Sequence, residues 1–210
     1  MTRRGSAAAT GLAALAIGAL TARGSGREVD RRLFGSLNAK GSPTRDALLK
    51  SVTELGSIWA SAGAAAVLGA RRYRREALDA LGAAGAMWLV GQGLKRMFVR
   101  PRPYQSLRGI RLLIHRPRGT SWPSSHPAVL LAFVTVASRD LDVPPGVRAA
   151  LGGLAALVGF SRVSLGVHYP SDVVSGILLG RSVGDAWTAF VSPLVLGRAP
   201  SETPRATLDP

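Results

Sequence analysis

The residues best suited to chemistry lie in a stretch of twelve residues, Ser161 to Asp172, that separates two apolar segments. The stretch contains a guanidinium, an imidazole and a carboxylate, on Arg162, His168 and Asp172. Placing such a group at the centre of a bilayer costs about 2.5 to 3.5 kcal/mol. Ionisable residues at the ends of apolar helices therefore indicate a functional site.

The spacing of His168 and Asp172 favours a pair in which the carboxylate holds the imidazole. The two are four residues apart, with Pro170 at the predicted first turn of the next helix. A carboxylate that binds the N–H of one ring nitrogen leaves the other nitrogen as a base or nucleophile. The alternative is a histidine that caps a helix end beside an aspartate favoured by the helix dipole.

A second cluster lies where the fourth apolar segment begins, in the sequence Pro123-Ser124-Ser125-His126-Pro127. The first turn of a helix has free backbone N–H groups that attract anions, and serine hydroxyls beside them add donors. His126 is placed to donate a proton to an oxygen that leaves such an anion site. The alternative is an ordinary serine cap followed by a proline in the first helical turn.

A third cluster is cationic and belongs to the most basic connection of the chain, residues 95–123. Lys95 and Arg102, together with Arg162, supply three cations that we expect on one face of the protein. Guanidinium groups match phosphate oxygens two at a time and an ammonium adds a point charge, so phosphate is the expected guest. The alternative, a basic loop that binds lipid headgroups, is the interpretation for five other arginines of this connection: Arg96, Arg108, Arg111, Arg116 and Arg118.

The composition indicates a membrane protein with charged loops. Apolar residues make up 47% of the 210 residues, yet 27 residues are Lys or Arg and the net charge is +15. Nucleic-acid binding is disfavoured because the charges interrupt long Ala, Gly, Leu and Val runs, and five Phe and three Tyr are few for base stacking. The absence of cysteine excludes disulfides, thiolate chemistry and cysteine metal sites.

Six apolar segments predict an all-α integral membrane bundle of six transmembrane helices in one domain, residues 1–197. The first segment is interpreted as a retained helix rather than a signal peptide, because Leu20 occupies a position where cleavage prefers a small residue. The polar tail, 198–210, is predicted to be disordered. The six segments are residues 7–22, 52–70, 77–94, 124–138, 148–160 and 170–195.

Between the first and second segments, residues 23–50 predict an amphipathic helix that lies on the membrane surface. The stretch is polar apart from a few apolar residues at helical spacing. Those residues, Val29, Leu33, Phe34 and Leu37, would form its one apolar face.

The number of segments also predicts which loops share a side of the membrane. Six crossings place residues 95–123 and 161–172 on the same face, opposite the loop Arg71–Arg75. Because short basic loops stay in the cytoplasm, the chemical groups are predicted on the extracytoplasmic side.

Within the last segment, Arg181 and Asp185 are four residues apart, which predicts an internal ion pair. The alternative is a role of these two residues in a proton or substrate path.

The three clusters together resemble, in order and spacing, the three signature motifs of the type 2 phosphatidic acid phosphatase family. The resemblance covers residues 33–195 or thereabouts. At one position this chain departs from the family, which usually has glycine where Ser125 stands, so the hydroxymethyl group either crowds the phosphate or adds a donor. The motifs read Lys95-x6-Arg102-Pro103, Pro123-Ser124-Ser125-His126 and Ser161-Arg162-x5-His168-x3-Asp172.

The resemblance implies a metal-independent phosphatase without a cofactor. In that mechanism His168 attacks phosphorus and becomes phosphohistidine, Asp172 holds the ring, and His126 protonates the departing oxygen and then helps to activate water. The phosphoryl oxygens would be held by cations and helix-start donors: Lys95, Arg102, Ser124, Ser125 and Arg162. A metal site is the competing hypothesis, disfavoured because basic residues would repel a cation; its ligands would be His115, His126, His168 and Asp172.

The predicted function is therefore hydrolysis of a phosphomonoester or diphosphate of a lipid at the headgroup level of a bacterial cell membrane. A polyprenyl diphosphate such as undecaprenyl pyrophosphate is the first expected substrate and phosphatidic acid the next. Membrane lipids are the expected surroundings, no nucleic-acid partner is expected, and the oligomeric state is open. Two alternatives stay open: a lipid phosphotransferase that uses the same phosphohistidine, and a non-catalytic membrane protein that binds lipid headgroups.

Overall fold

The computed structural model describes residues 3–23 and 26–197, and in these two ranges it contains helices and no strand. The all-α class predicted from the sequence is thereby confirmed for the described residues. The tail predicted to be disordered, 198–210, lies outside them. The helices are α1 (Arg3–Arg23), α2 (Gly26–Asn38), α3 (Pro43–Glu54), α4 (Ile58–Ala70), α5 (Arg74–Met97), α6 (Pro103–Ser106), α7 (Ser125–Asp140), α8 (Pro145–Ser164), α9 (Pro170–Phe190) and α10 (Ser192–Leu196).

Helix α7 lies in the centre of the bundle, in contact with α5, α8 and α9. Its inner surface consists of small and β-branched residues that are fully buried, such as Ala128, Ala132 and Val136. Helix α9 approaches it closely, because a side chain at Gly176 or Gly180 would collide with the backbone at the start of α7. This close packing brings together the first turns of α7 and α9, where two of the predicted motifs lie.

Helix α1 packs lengthwise against α9. The hydroxyls of Ser175 and Ser182 donate to the carbonyls of Ala14 and Ala7 at 3.4 and 2.7 Å, so α9 side chains meet the α1 backbone at two levels. Gly18 lies against the indole of Trp122, where a larger residue would not fit. The C-terminal half of α1 therefore lies beside the loop that leads into α7.

The apolar segment predicted over residues 52–70 is interrupted, because α3 and α4 meet at a break with their axes 63° apart. Ser57 caps α4, and its hydroxyl accepts a backbone N–H of the first turn at 3.0 Å. Gly56 lies against His126 and Val158 and has no room for a side chain. The bend therefore seats the corner between α3 and α4 against the start of α7.

Helix α2 forms within the predicted interfacial stretch, residues 23–50, which also contains much of α3. Its buried residues are Asp30, Phe34 and Asn38. Val29, assigned to the apolar face, is instead 59% exposed. The apolar spacing thus predicts the helix but not its inward face, because two of the three inward residues are polar and bind other parts of the protein.

Among the described residues, one helix, α8, is long and apolar enough to cross a bilayer by itself. Two bent pairs, α1 with α2 and α3 with α4, raise this number to three if each pair forms one span. Helices α5 and α9 have 24 and 21 residues but carry interior charges, such as Asp79 in α5. In α9, Nε of Arg181 lies 2.8 Å from Oδ2 of Asp185, which confirms the predicted internal pair. Six spans remain a prediction.

Candidate active site

A cavity of about 400 Å³ lies at one end of the bundle. Its walls come from the C-terminal ends of α5 and α8, the start of α7 and the loops that follow α5 and α8. Six of the eight residues predicted from the motifs line it, and the other two, Ser124 and Asp172, are fully buried. The three clusters therefore meet at one place, with the lining provided by Lys95, Arg102, Ser125, His126, Arg162 and His168.

His168 lies in the loop between α8 and α9 and is 2% exposed. Its Nε2 atom is 3.2 Å from Nη1 of Arg102. Because a guanidinium can only donate, Nε2 carries the lone pair and the ring proton is assigned to Nδ1. Nδ1 lies 3.5 Å from Oδ2 of Asp172, which is longer than an ordinary hydrogen bond but within the range of loose catalytic contacts. The ring thus presents its unprotonated nitrogen beside a cation of the cavity.

The surroundings of His168 favour its neutral form. Burial lowers the pKa of the imidazole well below its usual value, and the nearby cations Arg102, Arg162 and Lys95 lower it further. Since the neutral imidazole is the nucleophilic form, the site keeps His168 ready to react at neutral pH.

The carboxylate of Asp172 is fully buried in the first turn of α9. Its Oδ2 atom accepts the backbone N–H of Tyr169 at 2.8 Å and the hydroxyl of Ser121. Its Oδ1 atom accepts Nη1 of Arg100 at 2.7 Å. The predicted contact with His168 is therefore one of four, and the other three set the orientation in which the carboxylate faces the ring.

Arg102 is held by backbone carbonyls. Nε donates to Gly119 at 3.1 Å, Nη1 to Val167 at 3.0 Å and Nη2 to Arg118 at 3.4 Å. Burial lowers the pKa of Arg102, but a guanidinium remains charged at any physiological pH. Because carbonyls are neutral acceptors, they fix the side chain without cancelling its charge, which is available to an anion.

Arg162 and Lys95 also contribute cations to the cavity, and Arg96 and Arg118, which the sequence assigns to headgroups, line it as well. Nη1 of Arg162 donates to the hydroxyl of Thr53 at 3.1 Å, while Nε is buried and has no hydrogen-bond partner within the described part of the chain. Lys95 lies in the last turn of α5, and its carbonyl accepts the hydroxyl of Thr120 at 3.0 Å. Buried cations gathered around one cavity favour an anionic guest, and a phosphoryl group has enough oxygens to bind all of them.

The start of α7 supplies neutral donors. Ser124 is the N-cap residue, and among the residues described neither its hydroxyl nor that of Ser125 has a hydrogen-bond partner. The backbone N–H of Ser124 donates to the carbonyl of Asp172 at 3.0 Å and so joins α7 to α9. Ser125 lines the cavity. The position at which the resemblance expects glycine is therefore one whose side chain borders the predicted phosphate site.

His126 lines the cavity beside the corner between α3 and α4, where Gly56 packs against it. His115 is not among the lining residues. Within residues 3–23 and 26–197, no three His, Cys, Asp or Glu side chains are grouped closely enough to hold a metal ion. The four residues considered for a metal site are thus not gathered into one ligand set.

An apolar groove of about 290 Å³ lies between α4, α7 and α8. It begins at Leu55, in the corner between α3 and α4, and extends along α7 to Leu141 and Val143. Because Gly56 contacts His126, the groove starts next to the polar cavity. The cavity and the groove are therefore neighbours without a common lining residue in the described part of the chain, and the contact of Gly56 with His126 and Val158 lies between them.

Three residues that contact Asp172, namely Arg100, Ser121 and Tyr169, were not predicted from the sequence. The available signal for Arg100 is that the dipeptide Arg-Pro occurs twice in succession, at residues 100–103. Ser121 and Tyr169 carry no signal of their own, because their contacts depend on how two loops fold against the start of α9.

The model of the PAP2 superfamily matches residues 76–195, which include all eight predicted site residues. The decaprenylphosphoryl-5-phosphoribose phosphatase of Mycobacterium tuberculosis is 34% identical over 113 residues, which make up 54% of this chain and 60% of that protein. The undecaprenyl-diphosphatase of Sulfolobus acidocaldarius is 33% identical over 113 residues, 53% of this chain and 51% of that protein. The chain thus spans less than two thirds of the length of these relatives.

The fold is also similar to a solved structure, the first transmembrane PAP2 type phosphatidylglycerolphosphate phosphatase from Bacillus subtilis. The superposition has a TM-score of 0.74 and covers 88% of this chain and 94% of that one, at 23% sequence identity. The fold of the chain is therefore similar to the fold of that solved protein.

Proposed function

Because the chain belongs to the PAP2 superfamily, we propose that it is an integral membrane phosphatase that removes the terminal phosphate of a lipid phosphate or diphosphate. The observation that carries the proposal is the position of Nε2 of His168, which lies 3.2 Å from Arg102 in a cavity also lined by Lys95 and Arg162. A neutral nitrogen nucleophile in a cavity lined by cations is suited to receive a phosphoryl group.

In the first step, Nε2 of His168 attacks phosphorus in line with the lipid oxygen, and an N–P bond forms as the P–O bond breaks. The departing oxygen takes a proton from His126. The proton on Nδ1 of His168 stays in place, where Asp172 balances the positive charge that the ring acquires. The cations of the cavity and the donors at the start of α7 stabilise the charge on the equatorial oxygens.

In the second step, a water molecule attacks the phosphohistidine. His126, now without its proton, accepts a proton from this water. The P–N bond breaks, its electrons return to Nε2 of His168, and inorganic phosphate leaves. Since His126 gives and regains one proton, the cycle closes on the starting protonation state without a cofactor.

The apolar groove supports a lipid as the substrate. His126 is assigned the proton transfer to the oxygen that carries the lipid, and it contacts Gly56, which follows the groove residue Leu55 in the chain. The hydrocarbon chain attached to that oxygen can follow α7 from Leu130 to Leu141. This distance is about 16 Å at 1.5 Å per residue, enough to hold the first part of a long chain.

We propose six membrane spans, formed by α1, the bent pair of α3 and α4, and α5, α7, α8 and α9, with α2 at the membrane surface. The basic loop Arg71–Arg75 lies at the N-terminal end of α5, and Lys95 lies near its C-terminal end. Twenty residues of helix, or about 30 Å, separate them. Because the short basic loop Arg71–Arg75 favours the cytoplasm, and the basic residues of 95–123 are assigned to the anionic substrate and to headgroups, we place the active site on the extracytoplasmic side of a bacterial membrane.

A polyprenyl diphosphate is the proposed substrate, with phosphatidic acid and related glycerolipid phosphates next. Two relatives are named for work on polyprenyl phosphates: the Mycobacterium tuberculosis protein on a decaprenylphosphoryl sugar phosphate, and the Sulfolobus acidocaldarius protein on undecaprenyl diphosphate. All of these lipids offer a terminal phosphate at the headgroup level, where the cavity would meet it.

The proposal is tested by phosphate release from a panel of these lipids by the purified protein in detergent micelles. His168→Ala should lower kcat by about 10³-fold or more, because it removes the nucleophile. His115→Ala is the matched control, since His115 is exposed and is not among the cavity-lining residues. Equal release by the wild-type protein and His168→Ala would mean that the protein is not this phosphatase.

A second experiment tests whether the hydrocarbon chain of the substrate occupies the apolar groove, by placing a large side chain there. Ala64→Trp places an indole in the groove, whereas Ala66→Trp on the same helix lies outside its lining. We expect Ala64→Trp to raise KM about tenfold for long-chain substrates and to leave a short-chain soluble phosphate unaffected, since only the former needs the groove. Equal effects of the two tryptophans would place the lipid chain elsewhere.

A further inference from the structure

Helix α2 carries a buried carboxylate, that of Asp30, next to the active site. Asp30 is not among the residues that line the cavity. Asp30 is 4% exposed. Its Oδ1 atom accepts the backbone N–H of Ser171 at 3.0 Å, and its Oδ2 atom accepts the Ser171 hydroxyl at 2.6 Å and Nη2 of Arg100 at 2.5 Å. Because both oxygens are used, Asp30 connects the first turn of α9 with the loop that follows α5.

The guanidinium of Arg100 is shared between two carboxylates. Nη2 binds Asp30, while Nη1 donates to Oδ1 of Asp172 and to the hydroxyl of Ser171, both at 2.7 Å. Its Cζ atom lies 4.3 Å from the centroid of the Tyr169 ring. Arg100 is 4% exposed and is not among the residues that line the cavity. Its influence on the reaction must therefore pass through Asp172.

This sharing keeps Arg100 away from Oδ2 of Asp172, the oxygen that faces the imidazole and also accepts the Tyr169 N–H and the Ser121 hydroxyl. A guanidinium next to a single carboxylate tends to bind both oxygens with two nitrogens. Such a pairing would draw Oδ2 of Asp172 away from Nδ1 of His168, which lies 3.5 Å from it. Since Asp30 occupies Nη2, Arg100 offers only Nη1 to Asp172, and the contact is confined to Oδ1.

We infer that Asp30 is a positioning residue for the reaction, because it restricts Arg100 to one oxygen of Asp172 and so keeps the other oxygen directed at His168. The charged side chains of Asp30, Arg100 and Asp172 are 4%, 4% and 0% exposed, so solvent screens their interactions little. Asp30 lies outside residues 76–195, the range that the family model matches. The inference rests on the proposed phosphatase function, and its test measures both in one assay.

The test is Asp30→Asn, with phosphate release measured on the lipid phosphate that the wild-type protein hydrolyses best. The variant keeps the shape of the side chain and an acceptor for Ser171, but removes the charge that holds Nη2 of Arg100. We expect kcat to fall about 10- to 100-fold, the range found when the outer hydrogen-bond partners of metal-binding histidines are removed. KM should change less than about twofold, because the residues that line the cavity are unchanged.

Arg100→Gln and the double variant distinguish a positioning role from a general structural one. If Asp30 acts through Arg100, the double variant is no slower than Arg100→Gln alone, because Asp30 then has no guanidinium to restrain. If the two losses multiply, the residues act independently and the inference is wrong.

Two other carboxylates of the N-terminal helices provide matched controls. Glu28→Gln removes an exposed ion pair with Arg32 on α2 itself. Asp46→Asn removes an ion pair with Arg111, which joins α3 to the loop before α7. Both variants should keep the wild-type kcat, since these pairs do not include Asp172. A fall of kcat in Asp46→Asn as large as that in Asp30→Asn would overturn the inference.

Should Asp30→Asn not yield folded protein, Asp30→Ser tests the same contact. It removes the carboxylate that holds Nη2 of Arg100 while leaving a small polar side chain on α2, and it should also lower kcat at unchanged KM. An unchanged kcat in either folded variant overturns the inference. Absence of phosphate release by the wild-type protein is a separate result, which overturns the proposed function and the inference with it.

Discussion

The residues of the cavity wall and those of the inner face of α2 differ in what they bind. The cavity wall, formed by the motif residues, presents cations and donors to the space beside His168. The α2 inner face, formed by Asp30, Phe34 and Asn38, binds loops of the protein itself. The wall therefore acts on the guest, and the α2 inner face acts on the geometry of the wall. The effects of substitutions in the two groups should therefore differ both in the property that changes and in the size of the change.

The largest effect of the comparison is expected in the wall, for Arg102→Gln. Loss of a fixed cation beside the transferred group should lower kcat/KM about 10²- to 10³-fold, the cost of removing one preorganised donor from a transition state. Arg118→Gln is the control, because Arg118 lines the same cavity but is exposed. Its effect should stay below about threefold, as for other solvent-exposed charges. Equal losses of kcat/KM in both variants would mean that the reaction depends on the total charge of the cavity and not on the position of Arg102.

On the α2 inner face, Asn38→Ala should reduce stability rather than turnover. The Asn38 amide donates to the carbonyls of Arg111 and Ser164, both at 2.9 Å, and accepts the N–H of Arg111 at 2.8 Å. Losing these bonds should cost about 2 to 3 kcal/mol of unfolding free energy, at roughly 1 kcal/mol each. The measurement is Tm in detergent, with the exposed Ser36→Ala on the same helix as control. A normal Tm combined with low kcat would place Asn38 in the chemistry instead.

The smallest effect is a shift in the pH dependence of kcat/KM. Burial and the cations Arg102, Arg162 and Lys95 lower the pKa of His168, so the reactive neutral ring persists as the pH falls below the usual histidine range. Lys95→Met removes one of these cations and should raise the pKa of His168. The loss of activity at acidic pH should then begin at a higher pH than in the wild-type protein. Asp30→Asn leaves these cations in place, so it should not shift the pH dependence of kcat/KM. A shift as large as that in Lys95→Met would mean that the α2 inner face acts on His168 in the same way as the wall.

The wall could be predicted from the sequence because its residues interrupt apolar segments at fixed spacing. Lys95, His126 and His168 stand beside such segments, Arg102 lies in the basic connection 95–123, and all four line one cavity. The departure at Ser125, where the family usually has glycine, could also be recognised from the sequence alone. Local pattern and charge indicate such residues at helix ends, and the order and spacing of the three motifs supply the resemblance that assigns their roles.

The α2 inner face could not be predicted, because its contacts join residues that are far apart in the chain. Asp30 meets Arg100 across 70 positions and Ser171 across 141, and no local spacing encodes either contact. Arg100 itself is one of many basic residues in its connection, so charge alone did not single it out.

The bend between α3 and α4 was missed for a related reason. Apolar composition continues through it, and the need for Gly56 arises from its tertiary contacts with Val158 and His126. Such features depend on tertiary packing rather than on periodicity.

The central claim is that Nε2 of His168 takes up the phosphoryl group. Rapid alkaline quenching during turnover of a lipid phosphate, followed by mass spectrometry of the peptides, tests it most directly, because phosphohistidine survives base and is lost in acid. We predict phosphate on His168 in the wild-type protein, with more of it in a His126→Ala variant, which lacks the base for hydrolysis. Turnover without any phosphate on His168 under these conditions, or phosphate on His126 instead, would contradict the mechanism.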